Sequence, residues 1–376
     1  MLPLFGRSFG VSYGAAGLLI SAWALARLAS DLATGRVLEW LGSRRVGAFG
    51  LCLTGCGALS AASVPSFPAA AGCWALAGVG SAFMFAAFYS VLLRSAPSHH
   101  MARTLGLFYA SMNVGLIGGG AVGGVLASAF GLRAPLFAYA CLTFLGAGVY
   151  IRLASPRVPQ AELALTATPD SSIGLVAKGT LRTLLHRRGL MTVMFVNLVY
   201  MWAIAAVFDT LLPFFVKDRL HLSTSAVGAL YSLALVGELV ALFPAAHTAD
   251  HRGRKVVLLP SLVALAVATA LLGWTGTTLI FAAGLLALGA ASGCVGVAPA
   301  AMLSDLQPAA GLSAAIARLR FFGDFGLMIG PAVAGYALKT YGFGVSFTVI
   351  AAPIFAVALA VNRSDETLAR SQAAWS

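Results

Sequence analysis

The sequence predicts an all-α polytopic membrane protein built from two repeated helix bundles, and three observations predict it. First, the 376 residues are 60% hydrophobic and only 10% charged, with a mean hydropathy of +0.91. A soluble domain carries about 25% charged and about 45–50% apolar residues. Cytosolic enzymes, DNA-binding proteins and disordered chains are excluded on that ground. Second, apolar stretches of membrane-spanning length recur eleven times, as a hydrocarbon core of about 30 Å demands. Third, the chain resembles itself at a single offset of 211 residues. That shift superposes Gly17 on Gly228, Gly42 on Gly253, Gly78 on Gly289, Gly115 on Gly326, Gly119 on Gly330, Gly124 on Gly335 and Gly131 on Gly342. Glycine frequency alone gives about two such coincidences, so the pattern marks two parallel structural repeats.

The net charge of +12, from 24 basic against 12 acidic residues, suits loops facing an anionic cytoplasmic membrane surface better than nucleic acid. Cys52, Cys56, Cys73, Cys141 and Cys294 are odd in number and lie within apolar runs. They read as small buried hydrophobes rather than a disulfide framework or metal site. No basic segment followed by an apolar stretch and a cleavage site opens the chain, so no signal peptide is expected.

The spans are expected at 14–35, 46–64, 69–93, 104–129 and 134–154, then at 190–215, 225–247, 256–274, 277–303, 321–339 and 343–361. This divides the chain into an N-terminal bundle 1–154, a linker 155–189, a C-terminal bundle 190–363 and a tail 364–376. Pro156, Pro159, Pro169 and the run His186-Arg187-Arg188 mark the linker, with a surface-lying helix expected near Leu181–Arg188. Placing the linker in the cytoplasm puts Arg36, Arg44, Arg45, Arg252, Arg254 and Lys255 there too, leaving few basic residues outside. That asymmetry predicts a cell (inner) membrane protein with a cytoplasmic C-terminus.

Two motifs recur at the repeat offset. The first runs Gly35-Arg-Val-Leu-Glu39-Trp40-Leu-Gly42-Ser43-Arg44-Arg45, with the copy Ala246-His-Thr-Ala-Asp250-His251-Arg-Gly253-Arg254-Lys255. Its glycines suit a tight turn, its acid can face a helix N-terminus, and its basic cluster is expected against anionic headgroups. The second is Gly115-Leu-Ile-Gly-Gly119-Gly120-Ala-Val-Gly123-Gly124, with the copy Gly326-Leu-Met-Ile-Gly330-Pro331-Ala-Val-Ala-Gly335. Small residues at this spacing allow close packing of bendable helices.

Both motifs resemble those of the major facilitator superfamily: its loop signature, and the antiporter motif Gly-x-x-x-Gly-Pro-x-x-Gly-Gly. Glu39, Trp40 and Ser43 depart from the first loop copy, Ala246 and His251 from the second, and Gly120 stands where the antiporter motif has proline. The resemblance covers nearly the whole chain and implies a drug/proton antiporter-like branch. It also implies twelve helices, six per half. Met1-Leu2-Pro3-Leu4-Phe5 matches the end of the helix that opens the second half, Leu212-Pro213-Phe214-Phe215, with a one-residue slip. The first helix of the plan is therefore expected to be missing, through real loss or through a start placed at an internal Met, leaving five plus six spans.

Ionisable residues within spans are costly and are functional candidates by default. Arg27 and Asp31 could pair along one helix face at i,i+4. Glu238 occupies the position of Arg27 in the second half; proton coupling, a gate salt bridge and plain packing are all open for it. The resemblance places Asn113 and Asp324 on helices lining the seam between halves, and makes Arg27 with Asp324, and Asn113 with Glu238, candidate partners. Asp209 is a second acid or an outside gate. Asn197, Tyr200 and Trp202 are cavity candidates. Trp74 precedes Gly78 by four residues, where many proton-driven relatives carry arginine; this counts against proton coupling. His247 and His251 share the spacing of metal ligands but lie within the loop motif, so no metal and no cofactor are expected.

The expected function is secondary active transport by alternating access, as proton-coupled efflux of a small organic or drug-like molecule. The expected partners are that substrate, protons and the lipid bilayer, with no nucleic acid, and the protein is expected to be a monomer. The alternative is a non-transporting membrane receptor or assembly protein on a degraded transporter fold. No Gly-x-Ser-x-Gly, His-Glu-x-x-His or phosphate-binding loop is present, so an enzyme is not expected.

Overall fold

The computed structural model describes residues 1–95, 101–153, 188–306 and 309–364. The expected linker helix near Leu181 and the pair His99-His100 lie outside the described residues. Among those residues every regular element is helical: Leu2–Arg7 (α1), Tyr13–Ser63 (α2), Phe67–Ser95 (α3), Met101–Phe130 (α4) and Ala134–Leu153 (α5). A composite α6 follows, in which Arg188–Ala203 continues through Ile204–Leu211, Leu212–Phe214 and Phe215–Arg219. Then come Thr224–Arg252 (α7), Arg254–Leu272 (α8), Thr278–Leu306 (α9) and Ala309–Asn362 (α10).

Nine of these helices, counted over the described residues, are long and apolar enough to cross a membrane. Two of the nine are doubly long, with α2 at 51 and α10 at 54 residues. Each is broken by one glycine with non-helical dihedrals, Gly42 at φ 75°, ψ 156° and Gly342 at φ 75°, ψ −177°. Splitting them there gives eleven membrane-length segments, five before the linker and six after it. The protein is a multi-pass membrane protein.

The expected tight turn at 36–45 is thus narrower than the sequence suggests. Helix runs to Leu41 and resumes at Ser43, because a single residue in the left-handed region redirects the chain and glycine adopts it without a Cβ penalty. Its repeat mate Gly253 does the same between α7 and α8, at φ 109°, ψ 152°. The 211-residue repeat is therefore present in the backbone as well as in the letters.

It also recurs in the contacts. A Cβ on Gly78 would collide with the Trp23 carbonyl, and one on Gly289 with the Ala234 carbonyl, each pair related by the offset. Arg44 donates from Nε and Nη2 to the Ile151 carbonyl at 2.9 and 2.6 Å, and Lys255 from Nζ to the Asn362 carbonyl at 2.7 Å. In each half the basic end of the loop motif therefore caps the last helix. A cation at a helix C-terminus meets both orphan carbonyls and the negative end of the dipole. Arg44 and Lys255 thus have a protein partner besides the lipid headgroups expected for them. Arg44→Ala and Lys255→Ala are each expected to cost about 1 kcal/mol, read as an earlier thermal unfolding midpoint in detergent, with Trp40→Ala as an exposed control.

The C-terminal half holds the larger core. Phe215 stacks on Phe281 at 4.4 Å between centroids and meets Phe343 and Phe347 edge-on. In the N-terminal half Phe5, Leu19, Ala62, Ala70 and Leu136 form a separate buried cluster. Cys52, Cys56 and Cys141 are exposed rather than buried, because a membrane helix is apolar on its lipid face as well as its inner one.

Candidate functional site

The two halves meet along a pseudo-symmetric seam. A Cβ on Gly17 of α2 would collide with the Pro331 carbonyl of α10, and one on Gly228 of α7 with the Gly120 carbonyl of α4. Gly17 and Gly228 are repeat mates, as are Gly120 and Pro331. Glycine at both places lets the helix backbones touch. Gly335 likewise packs within 3.0 Å of Gly14, and Gly124 within 3.0 Å of Gly228, measured from an added Cβ. The second glycine motif thus builds the seam through Gly120, Gly124, Pro331 and Gly335. Gly326 and Gly330 instead pack on α6, against Leu198, Trp202 and Ala206. Their mates Gly115 and Gly119, and also Gly123, would meet nothing within 4 Å. The surrounding face of α4 is open, with Val114 and Val122 exposed.

The seam carries buried charge. Arg27 of α2 pairs with Asp324 of α10 at 3.8 Å, their side chains 14% and 8% exposed. The guanidinium of Arg27 also lies over the Trp23 ring at 5.4 Å and the Phe85 ring at 5.1 Å. Its Nε is buried and has no hydrogen-bond partner among the described residues. Asp31, one turn further along α2, lies close enough to Asp324, Arg320 and Arg27 to feel their charges. The expected local Arg27–Asp31 pair is therefore replaced by a group of charges bridging the halves, since α10 offers Arg27 a carboxylate at the same depth.

On the other side of the repeat, Ser232 donates to the Ile117 carbonyl at 2.7 Å. Its mate Ser21 has a buried hydroxyl with no partner among the described residues, so the α2–α10 seam is less completely bonded at this level than the α7–α4 seam. Glu238 accepts from the Tyr200 hydroxyl at 3.0 Å. Among the described residues no Lys, Arg or His forms an ion pair with Glu238. Asp209 sits in the π-helical stretch Ile204–Leu211, close to Tyr231. Thr210 donates to the Ala205 carbonyl five residues back at 2.9 Å, a bond that fits the wider π turn.

Asn197 does not stand as a free cavity group. Its amide donates to the Leu319 carbonyl at 2.7 Å, tying α6 to α10. Trp202 is buried, its indole N–H on the Ile350 carbonyl at 3.1 Å. Asn113 is half-buried on α4, near the start of the glycine motif.

At the loop-motif end, Arg254 is paired with Asp250 and, at 3.2 Å through Nε, with Asp305 of α9. Gly35 and Glu39 lie on the last turns of α2 before the break at Gly42, Glu39 exposed. His251 directs Nδ1 onto the His247 carbonyl at 2.8 Å, and no group of three or more metal-ligating side chains exists among the described residues. At the opposite end a clamp that sequence reasoning missed joins the halves. Arg7 bonds Asp218 at 3.2 Å, Tyr13 donates to Asp218 at 2.9 Å, and the Arg7 guanidinium lies 4.0 Å from the Tyr13 ring centroid. Arg7 and Asp218 are themselves separated by 211 residues, so the ion pair sits where the repeats meet.

Helices in two repeats, joined by glycine-lined seams around mid-span charges, match a known family at the level of sequence. The profile of the Major Facilitator Superfamily matches residues 1–237 and 206–373. The chain belongs to the major facilitator superfamily. Solved structures agree. The nucleoside transporter NupG is similar at a TM-score of 0.77 and 16% identity, covering 97% of this chain and 94% of that one. A point mutant of the same nucleoside transporter gives a TM-score of 0.79 at 16% identity, with 96% and 94% covered. A D-xylose–proton symporter gives 0.75 at 17% identity, with 96% and 91% covered. At these identities the likeness establishes the fold. A search of curated protein sequences found no match. The family is one of membrane transporters, not enzymes.

Proposed function

We propose that the protein is a secondary active transporter working by alternating access, exporting a small organic, drug-like molecule in exchange for protons. The observation that carries this reading is the pair of mid-span charges: Arg27–Asp324 bridging the halves, and Glu238, half-buried in α7 with no basic partner among the described residues. A charge in hydrocarbon costs about 2.5–3.5 kcal/mol on insertion scales, so it is retained where it works. Glu238 is the proton carrier in this reading, and the Arg27 group closes one side of the seam. Export rather than uptake rests on the resemblance of the second glycine motif to the antiporter motif.

In this reading the protein sits in the cell (inner) membrane with the linker and the C-terminus cytoplasmic, which the excess of basic residues in the loops on that side supports. The Arg7–Tyr13–Asp218 clamp then acts as the external gate, closed in this structure, and the Asp250–Arg254–Asp305 network braces the cytoplasmic end. We also propose that the open α4 face around Gly115 and Gly119 is covered by one further membrane helix in the working transporter. This follows from the repeat, because the equivalent face of α10 is covered by α6.

The test is a proteoliposome assay with an internal pH dye and a panel of drug-like cations, nucleosides, sugars and amino acids. At least one compound is expected to drive proton movement opposite to its own, and Glu238→Gln to abolish that movement. Proton movement in the same direction as the compound would replace exchange with symport. No proton movement with any compound, or an unchanged Glu238→Gln variant, would reject the reading.

A further inference from the structure

The two copies of the loop motif end differently. The first closes on two adjacent cations, Arg44 and Arg45, and the second on Lys255 and Val256. Arg44 gives Nε and one N–H of Nη2 to the Ile151 carbonyl, which uses two of the five donors of a guanidinium. The rest of its fork has no protein acceptor among the described residues, and neither arginine forms an ion pair there. Together with Ala48 and Ile151 they line an open groove of about 380 Å³ between α2 and the end of α5. Among the described residues no carboxylate lines this groove; Glu39, the acid of the same motif, is exposed but lies outside it.

One helical turn further from the break the surface becomes apolar. From the exposed Arg45, helical spacing leads to Phe49, Cys52, Cys56 and Leu59, all exposed. This stripe is about 21 Å long, more than one leaflet of a hydrocarbon core about 30 Å thick. Trp40, 84% exposed, stands two residues before Gly42, and an exposed indole suits the boundary between membrane and water. Cations at that boundary, above an apolar stripe, can be matched to a ligand class. A soluble anion would use the arginines and leave the stripe uncovered. A zwitterionic lipid would bring its own cation beside two arginines. An anionic phospholipid meets both features, because its phosphate oxygens accept from guanidinium forks and its chains cover the stripe. We propose that this groove holds one anionic phospholipid, its phosphate on Arg45 and the unused donors of Arg44, its chains along the Arg45–Leu59 stripe. The site belongs to the first half alone. In the second half Val256 replaces Arg45, and Lys255 is engaged by the Asn362 and Ser364 carbonyls. The proposal stands apart from the transporter reading, since it needs neither a substrate nor a coupled proton.

The experiment is native mass spectrometry of the full chain in detergent, titrated with phosphatidylglycerol or with phosphatidylcholine of the same acyl chains. The first phosphatidylglycerol is expected to bind about tenfold more tightly than phosphatidylcholine, and the second no more tightly than phosphatidylcholine. Arg45→Gln is expected to bring the first phosphatidylglycerol down to the affinity of phosphatidylcholine. Arg252→Gln, which removes an exposed arginine from the second loop copy, is expected to leave the preference intact. Size-exclusion profiles report whether each variant is folded; if Arg45→Gln is not monodisperse, Arg45→Met serves, since it keeps an unbranched side chain without the charge. Equal affinity for the two lipids would overturn the proposal, as would a preference that survives the loss of Arg45 or disappears with Arg252. Inorganic phosphate separates the two sources of a phosphate group. It is expected to compete no better than sodium chloride of equal ionic strength; displacement of the lipid by phosphate beyond that would make this a free-anion site and overturn the lipid assignment.

Discussion

Gly289→Leu is expected to prevent the C-terminal half from folding, and Gly78→Leu to do the same to the N-terminal half. An added Cβ on either residue meets a backbone carbonyl, of Ala234 or Trp23, across a helix–helix contact. Backbone cannot rotate aside as a side chain can, so the helices must separate. Overpacking of a tight contact costs about 1–3 kcal/mol for small additions and more for large ones. Gly289→Ala is accordingly expected to lower stability by about 1–3 kcal/mol and Gly289→Leu to abolish the monodisperse peak in fluorescence-detected size exclusion. Gly72→Ala is the control, since nothing lies within 4 Å of an added Cβ there.

The second large effect belongs to the seam. Asp324→Ala leaves the Arg27 guanidinium buried against Trp23 and Phe85 without its ion-pair partner, with only the more distant charge of Asp31 left to balance it. Removing one partner of a buried ion pair costs about 3–5 kcal/mol, whereas replacing both by apolar groups is often near neutral. Asp324→Ala should therefore lose stability sharply, and Arg27→Leu with Asp324→Leu should recover most of it. A double-mutant cycle of unfolding in mixed micelles checks this. A double variant no better than the single one would place the charges outside a common buried pair.

Much of the fold was legible because it is periodic. The apolar runs gave the spans, and the 211-residue offset gave the halves, down to Gly42 and Gly253 adopting the same left-handed turn. The juxtaposition of Arg27 with Asp324 was also accessible, through the resemblance and not through spacing. What escaped was side-chain contact between residues far apart in sequence, which hydrophobic periodicity does not mark. The clamp partner Asp218 is 211 residues from Arg7, and the acceptors of Arg44 and Lys255 are 107 residues away. Basic loop residues next to a membrane look alike whether they face headgroups or cap a neighbouring helix. Asn197 looked like a cavity residue because an amide in an apolar run has no local partner; its acceptor is a main-chain carbonyl of α10, which no side-chain pattern marks. The π turns around Asp209 leave no signature in hydrophobic periodicity either.

The central claim is that the two bundles rock about the mid-span charges, closing one end as the other opens. Distances between spin labels at both ends test it most directly. The five native cysteines are first replaced by serine. One label pair then sits at Ser8 and Arg219, beside the Arg7–Asp218 clamp, and another at Trp40 and Ile316, towards the loop-motif end. Asp218→Asn removes the ion pair of the clamp, an exposed interaction worth about 1 kcal/mol or less. That is enough to change the populations of two states about fivefold but too little to unfold a bundle. The account predicts that Asp218→Asn moves population from short to long Ser8–Arg219 distances, and from long to short Trp40–Ile316 distances, by the same fraction. Both pairs lengthening together, or neither moving, would contradict it.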